Sequence, residues 1–159
     1  MITRRQRCAA EVVAAAMEGV RDRADIHYSQ GLVLRWSGIA GKLLNRQPSY
    51  ADCSSYTTWL MWRARKKVRG SAGVDIVNGQ DWTEGYTGTQ TNHGHRHRFG
   101  VRAYKAGRTL VFYNNDQGQI GHVAVYVGHG MVVSHGSEAG PLYLTYNYRP
   151  VAQARSYGL

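Results

Sequence analysis

The side chains best suited to chemistry in this sequence are the thiol of Cys53, the imidazoles of His122 and His135, and a histidine triplet at His93, His95 and His97. A thiol attacks carbonyl carbon as the thiolate, and it needs a base to take its proton. Cys53 lies in "YADCSSYTTWLMW" (50–62), where loop-like residues give way to a helical pattern. A helix start presents unpaired N–H groups and a partial positive charge, which favour the thiolate and supply donors where an oxyanion forms. His122 opens "HVAVYVG" and His135 ends "MVVSH". A hairpin between these runs would set the two imidazoles side by side on one face, one as base and the other orienting it. Taken singly, each residue is weak: lone cysteines are mostly buried filler, and strand histidines are mostly satisfied core residues. The three together are a stronger pattern.

The triplet in "NHGHRHRFG" offers a different chemistry, because alternating histidines in a strand can bind zinc. No HExxH pattern and no matched carboxylate accompanies it. A solvated loop at a groove edge is the reading adopted, and neither a metal nor another cofactor is expected. The second cysteine, Cys8, reads as a small buried hydrophobe. Two cysteines allow at most one disulfide and no four-cysteine zinc site.

These residues must be positioned by helices near the front of the chain and strands behind them. Thr3 and Gln6 form a capping-box pattern ahead of a first helix, with Ala9, Val12, Val13, Ala16, Met17 and Val20 on its apolar face and Cys8 beside it. Residues 24–51 read as mostly irregular, with Pro48 disfavouring helix just before it. A second helix is predicted from Asp52 to Val68, with Tyr56, Leu60 and Ala64 at i, i+4 spacing and "RARKKVR" at the negative end of its dipole. Residues 70–100, rich in Gly, Thr, Asn and His, read as a long surface excursion that shapes a groove. Strands are predicted at 109–113, 122–128, 131–135 and 142–148, with a tight turn at Gly128, His129 and Gly130. Helices followed by antiparallel strands argue for an α+β fold.

The bulk properties bound the partners. A chain of 159 residues suits one domain, spanning 1–159, with a core of its own. A net charge of +10 calls for an anionic surface or polymer: nucleic acid, or a bacterial wall with its carboxylates and phosphates. The basic start "MITRRQRCAAEVVAAAMEGV" is interrupted by Glu11 and is not read as a signal peptide. No segment approaches a membrane span. Synthesis in the cytosol as a soluble protein is the expectation, with no membrane partner.

"ADCSSYTTWL" followed by "LVFYNN…GHVAVYVGHGMVVSHGS" resembles the NlpC-type papain-like cysteine peptidases of bacterial cell-wall turnover. With "HYSQG…RWSGI", "GYTGT" and "VVSHGSEAGP", the likeness is closer to the peptidase domains of actinobacterial phage endolysins (lysin A proteins). It spans roughly residues 24–150. The resemblance implies a nucleophile-bearing helix packed on a small antiparallel sheet. It makes Cys53 the nucleophile, His122 the base and His135 the third polar residue, with Ser134 the alternative. Tyr28 of "HYSQG" matches the tyrosine that helps line the oxyanion site, and Asp52 and Ser54 match positions that help hold the stem peptide. Three departures stand out. Arg108 and Thr109 replace the family's Gly-Asp turn, His135 lies one residue further from His122 than the pattern has it, and residues 37–49 look like an insertion separating Tyr28 from Cys53.

The function implied is a peptidoglycan amidohydrolase, an endolysin cutting the stem peptide as a D,L-endopeptidase, with N-acetylmuramoyl-L-alanine amidase as the alternative. Acyl transfer on the same fold, as in transglutaminase-like relatives, stays open. Peptidoglycan and anionic wall polymers are the expected partners of a monomer that reaches the wall through a holin pore or packaged in a virion. A non-catalytic nucleic-acid binder, suggested by "RARKKVR" and eleven tyrosines, is disfavoured, because the basic run reads as a solvated helix end.

Overall fold

A computed structural model describes residues 1–37, 44–137 and 139–159. The first helix, α1 (Arg4–Arg21), begins at the expected capping box: Thr3 Oγ1 accepts from Gln6 N–H, and the Gln6 side chain accepts from Thr3 N–H. Its buried face is Cys8, Val12, Ala15, Ala16 and Gly19, so Cys8 is in the middle of the packed stripe rather than beside it. Of the expected stripe, Val12 and Ala16 are buried, and Ala9, Met17 and Val20 pack partly buried against the same core. Small residues at 8, 15, 16 and 19 let α1 lie close on the central helix.

That central helix is α3 (Cys53–Arg69). Asp52 caps it, accepting from Ser55 N–H at 2.7 Å while Ser55 Oγ receives Asp52 N–H at 2.9 Å. Gly70 ends it in the left-handed conformation. Nearly every residue of its first two turns is buried, polar ones included. Across the α1 interface Arg63 bonds Glu11 and Glu18.

Among the described residues, eight strands form two sheets. A minimal parallel pair joins β1 (His27–Tyr28) to β2 (Tyr50–Ala51), with Tyr28 opposite Ala51. The main sheet runs in the order β3-β8-β4-β5-β6-β7, antiparallel throughout. Its strands are β3 (His95–Arg96), β4 (Thr109–Asn114), β5 (Ile120–Gly128), β6 (Met131–Ser134), β7 (Leu142–Thr145) and β8 (Val151–Ser156). One face, with Leu110, Phe112, Val123, Val125 and Val133, packs with α1 and α3 into the main core. The other buries Val111, Tyr113, Ala124, Tyr126, Val132 and Ala154 beneath a tyrosine-rich cover. The β5–β6 turn is the expected one, with Gly128, His129 and Gly130 all at positive φ.

Within the stretch 24–51, expected to be mostly irregular, the described residues include, besides β1 and β2, the short α2 (Leu32–Ser37). The expected insertion at 37–49 lies partly outside the described residues. The stretch 70–100 is not a surface excursion, because Asp75, Val77, Asn78, Trp82 and Gln90 are buried. It carries α4 (Thr87–Thr91), from which Gln90 Nε2 reaches Ser54 O at 2.9 Å and Thr58 Oγ1 at 3.1 Å on the first turn of α3. Asn78 Nδ2 donates to the same Thr58 Oγ1 at 3.1 Å. Finally, β8 was not foreseen, yet it lies inside the sheet between β3 and β4.

Candidate functional site

Cys53 is the first residue of α3, at the point where β2 turns into the helix. It opens onto a cavity of about 280 Å³ whose wall includes Gln30, Arg35, Asp52, Ser54, Tyr86 and Gly121. The thiol is nearly sealed, with 6% of the residue exposed. Burial, then the neighbouring Asp52 carboxylate, push its pKa up to about 12. The backbone N–H groups of Val123 and Ser54 and the charge of Arg35 act in the opposite direction and lose. This corrects the expectation of a helix-start thiolate: desolvation of a charge outweighs the partial charge of the helix terminus.

His122 stands on β5 between Gly121, which lines the cavity, and Val123, whose N–H acts on the sulfur. Its pKa is lowered to about 4, by burial first and then by Arg149 and His135, with Asp52 pulling it up. The resting pair at neutral pH is therefore thiol and imidazole rather than thiolate and imidazolium.

The third member is not where the hairpin argument put it. The β5–β6 register pairs Val125 with Val133 and Tyr126 with Val132. Side chains alternate across a strand, so Ser134 shares the His122 face and the next residue, His135, turns to the other. Ser134 Oγ is 2.7 Å from His122 Nε2, and Tyr148 Oη is 2.9 Å from Ser134 Oγ. His135 instead donates Nε2–H to the Ala51 carbonyl at 2.9 Å, with its ring against those of Tyr28 and Tyr56. It braces the chain two residues ahead of Cys53, and among the described residues makes no hydrogen bond to His122.

Tyr28 is brought to the site by the β1–β2 pair, which closes the long sequence gap in two residues. Burial and the proximity of Cys53 and Asp52 raise its pKa, and its hydroxyl accepts from Gln30 Nε2 at 2.9 Å. Asp52 and Ser54 also border the cavity, but their polar atoms are engaged. Asp52 Oδ1 accepts from Ser55 N–H and Ser54 Oγ, and Oδ2 forms an ion pair with Arg35 at 3.2 Å.

Arg35 escaped the sequence reading. It is 8% exposed, and from α2 it bonds Asp52, Ser54 Oγ at 3.1 Å and the Gly85 carbonyl. A lone cation inside the apolar run "LVLRW" was the available signal. Tyr148 was also missed, because a tyrosine in "YNYRP" gives no hint of the strand face it will cover.

The histidine triplet does not converge on one point, although the His95 and His97 rings meet edge-on at 5.8 Å. His93 Nδ1 is 2.9 Å from Thr89 O, His97 Nε2 is 2.7 Å from Ser156 Oγ, and His95 is exposed. Among the described residues no group of three or more His, Cys, Asp or Glu side chains is placed to hold a metal ion. Among the same residues no helix is long and apolar enough to cross a membrane.

The fold is shared with solved structures of low sequence identity. NlpC2 from Trichomonas vaginalis is 18% identical with a TM-score of 0.60, over 93% of this chain and 48% of that one, so this chain spans about half its length. The NlpC/p60 domain of the peptidoglycan hydrolase SagA is 23% identical with a TM-score of 0.58, over 93% of this chain and 97% of that domain. The Resuscitation Promoting Factor Interacting protein RipA is 18% identical with a TM-score of 0.54, over 96% and 63%. No match was found among curated protein sequences. The family model described as NlpC/P60 matches residues 33–155, a stretch that runs from α2 through β8 and takes in Cys53, His122 and Ser134. With a papain-like arrangement of helix and sheet beneath that match, the chain belongs to the NlpC/P60 family.

Proposed function

We propose that this protein is a peptidoglycan hydrolase that cleaves an amide bond of the wall stem peptide by cysteine–histidine catalysis, as a D,L-endopeptidase. The observation that carries the reading is a helix-start cysteine on an open cavity, with His122 held between Gly121, which lines that cavity, and Val123, whose backbone N–H acts on the Cys53 sulfur. Because thiol and imidazole rest neutral, His122 removes the Cys53 proton as the sulfur attacks the carbonyl, rather than beforehand. The oxyanion forms beside the first N–H groups of α3, with the Tyr28 hydroxyl near. His122 then returns the proton to the leaving amine, and water hydrolyses the thioester.

The setting proposed is phage lysis of an actinobacterial host, reached through a holin pore or from a virion, on the sequence likeness to endolysin peptidase domains. The positive charge supports an anionic polymer as second partner. Between Gly85 and Asn115 there is no Asp or Glu. Arg96, Arg98, Arg102 and Lys105 are exposed there, and none forms an ion pair among the described residues. Arg108 and Arg5 are close enough for each other's charge to matter.

The deciding experiment is digestion of purified actinobacterial peptidoglycan by wild type and Cys53→Ala, with mass spectrometry of the soluble products. Fragments with a new N-terminal diamino acid, absent from the variant's digest, support the endopeptidase. Stem peptides released whole from glycan would make it an amidase. Undiminished lysis by Cys53→Ala would reject the scheme.

A further inference from the structure

A serine beside a catalytic histidine is an ambiguous partner. Its hydroxyl can accept Nε2–H, which leaves Nδ1 a free base, or it can donate to a bare Nε2, which puts the proton on Nδ1 and blocks the reaction. One rotation of the hydroxyl separates the two states. An acceptor placed behind the serine removes the ambiguity, because the serine hydrogen then has somewhere else to go. Tyr148 Oη is in that place, 2.9 Å from Ser134 Oγ, and Ser134 Oγ is 2.7 Å from His122 Nε2.

We propose that Tyr148 is a positioning residue for His122: it receives the Ser134 hydrogen and so makes Ser134 an obligate acceptor of the His122 Nε2–H. The chain of donation runs Nε2–H to Ser134 Oγ, then Ser134 O–H to Tyr148 Oη. The inference rests on the reading of His122 as the base of Cys53. Nδ1 then carries the lone pair that takes the thiol proton. The same polarity serves the imidazolium, whose Nε2–H goes on donating to Ser134. Gaining and losing a proton at Nδ1 thus requires no hydroxyl to turn.

The surroundings hold Tyr148 to this task. Its ring meets Tyr113 edge-on at 5.0 Å, and Tyr113 in turn faces the His122 ring at 5.9 Å. Tyr113 Oη donates to the Tyr146 carbonyl at 2.7 Å, and Tyr148 N–H donates to Thr145 O at 3.1 Å. Together these fix the turn that carries Tyr148 from β7 toward β8. Ser134 is 3% exposed and His122 6%, so bulk water does not compete for the relay. The relay is uncharged, which agrees with a base whose protonated form has no counter-ion supplied through Nε2.

The test uses the full chain with 15N-labelled histidine, and reads the His122 tautomer at pH 7 without substrate by long-range 1H–15N correlation. Wild type is expected to show Nε2–H. Tyr148→Phe, which removes one oxygen and keeps the ring, is expected to show a mixture with Nδ1–H and to lose about 10-fold in kcat at unchanged KM on peptidoglycan. Ser134→Asp supplies an acceptor that cannot donate at pH 7, so Tyr148→Phe is expected to have no effect on the tautomer in that background. An unmixed Nε2–H tautomer with wild-type kcat in Tyr148→Phe would overturn the proposal. So would a tautomer shift that persists in the Ser134→Asp background. Failure of the parent reading looks different: the tautomer moves as described, but wild type releases no wall fragments.

Discussion

The thiol of Cys53 is protonated at rest, and this has a direct chemical signature. Iodoacetamide reacts with thiolate alone. With the thiol pushed up to about 12, alkylation of Cys53 is expected to be slow at pH 6 and to rise roughly 10-fold per pH unit up to pH 9. A rate already on a plateau at pH 5 would mean a thiolate–imidazolium pair and would refute the neutral resting state. Activity should behave differently, because only the base titrates in the working range. In the proposed mechanism His122 acts unprotonated, and burial lowers its pKa to about 4. A kcat/KM profile flat from about pH 6 to 9 and falling below about pH 5 is expected.

Arg35 makes a second prediction at this scale. It is buried against Asp52, Ser54 and the Gly85 carbonyl. Arg35→Ala would leave Asp52 buried with its charge uncompensated, a loss of about 3 kcal/mol in unfolding free energy. It would also raise the Cys53 pKa further, since Arg35 is one of the groups lowering it. Chemical denaturation measures the first effect and alkylation rate the second. Full stability in the variant would show that the ion pair is dispensable.

At the scale of elements, the two long helices depend on close contact at small residues. Gly107, at φ +69, lies so near the backbone of Ala9 in α1 that an added Cβ would collide with its carbonyl. Gly107→Ala is expected to cost about 2 kcal/mol or more, from strain at positive φ and the displaced helix together. Gly130→Ala, also at positive φ but with open space around it, should cost about 1 kcal/mol. A thermal-melt ranking with Gly130→Ala as the worse variant would contradict this.

What could be read in advance divides along the same lines. The start of α1, the start and end of α3, and strands β4 to β7 are local patterns of capping residues and alternating apolar side chains, and those are legible in one sequence. The parallel pair β1–β2 has two residues per strand and is held by tertiary placement, so no periodicity announces it. β8, "VAQARS", is a half-buried strand written in small and polar residues, with Ala154 its one buried side chain, so no apolar alternation announces it. For the candidate site, Cys53 stood out because it opens α3, and His122 because it follows a glycine near the start of β5. His135 was misplaced because its face depends on a register that one residue inverts. Tyr28 was found through resemblance, while the two residues that engage its surroundings and the relay, Arg35 and Tyr148, come from elements whose placement is tertiary.

At the scale of the molecule, stability and charge both carry a pH or salt signature. His122 and His135 are buried, and burial lowers both pKa values below that of a free imidazole. Between the folded and unfolded pKa values the unfolded chain binds more protons, so stability falls as pH drops from about 6.5 toward 4 and is unaffected by these groups above that window. A melting temperature constant from pH 7 to 8 and declining below 6.5 is expected, with a shallower decline in His135→Gln. A melting temperature that rises on acidification would contradict the assignment of neutral buried imidazoles. Reversing charge at Arg96, Arg98 and Arg102 to Glu is expected to weaken retention on purified walls and to flatten its salt dependence, with cleavage of a soluble stem peptide unchanged. Equal retention of the variant and wild type would remove these residues from the wall-facing surface.

The placement of β8 has a consequence for how the protein is made. Residues 151–156 fill the gap between β3 and β4, Tyr157 Oη reaches the Gln90 carbonyl, and Leu159 is buried. A ribosome that has delivered everything up to residue 150 therefore holds a nascent chain whose sheet has an open seam along β4, with its hydrogen-bonding edge exposed to other chains. The cavity at Cys53 already has all its wall residues by then, but the scaffold that holds them is finished only once residues 151–156 have emerged. Synthesis thus sets the order of events: the residues around Cys53 are spelled out before the strand that braces their sheet.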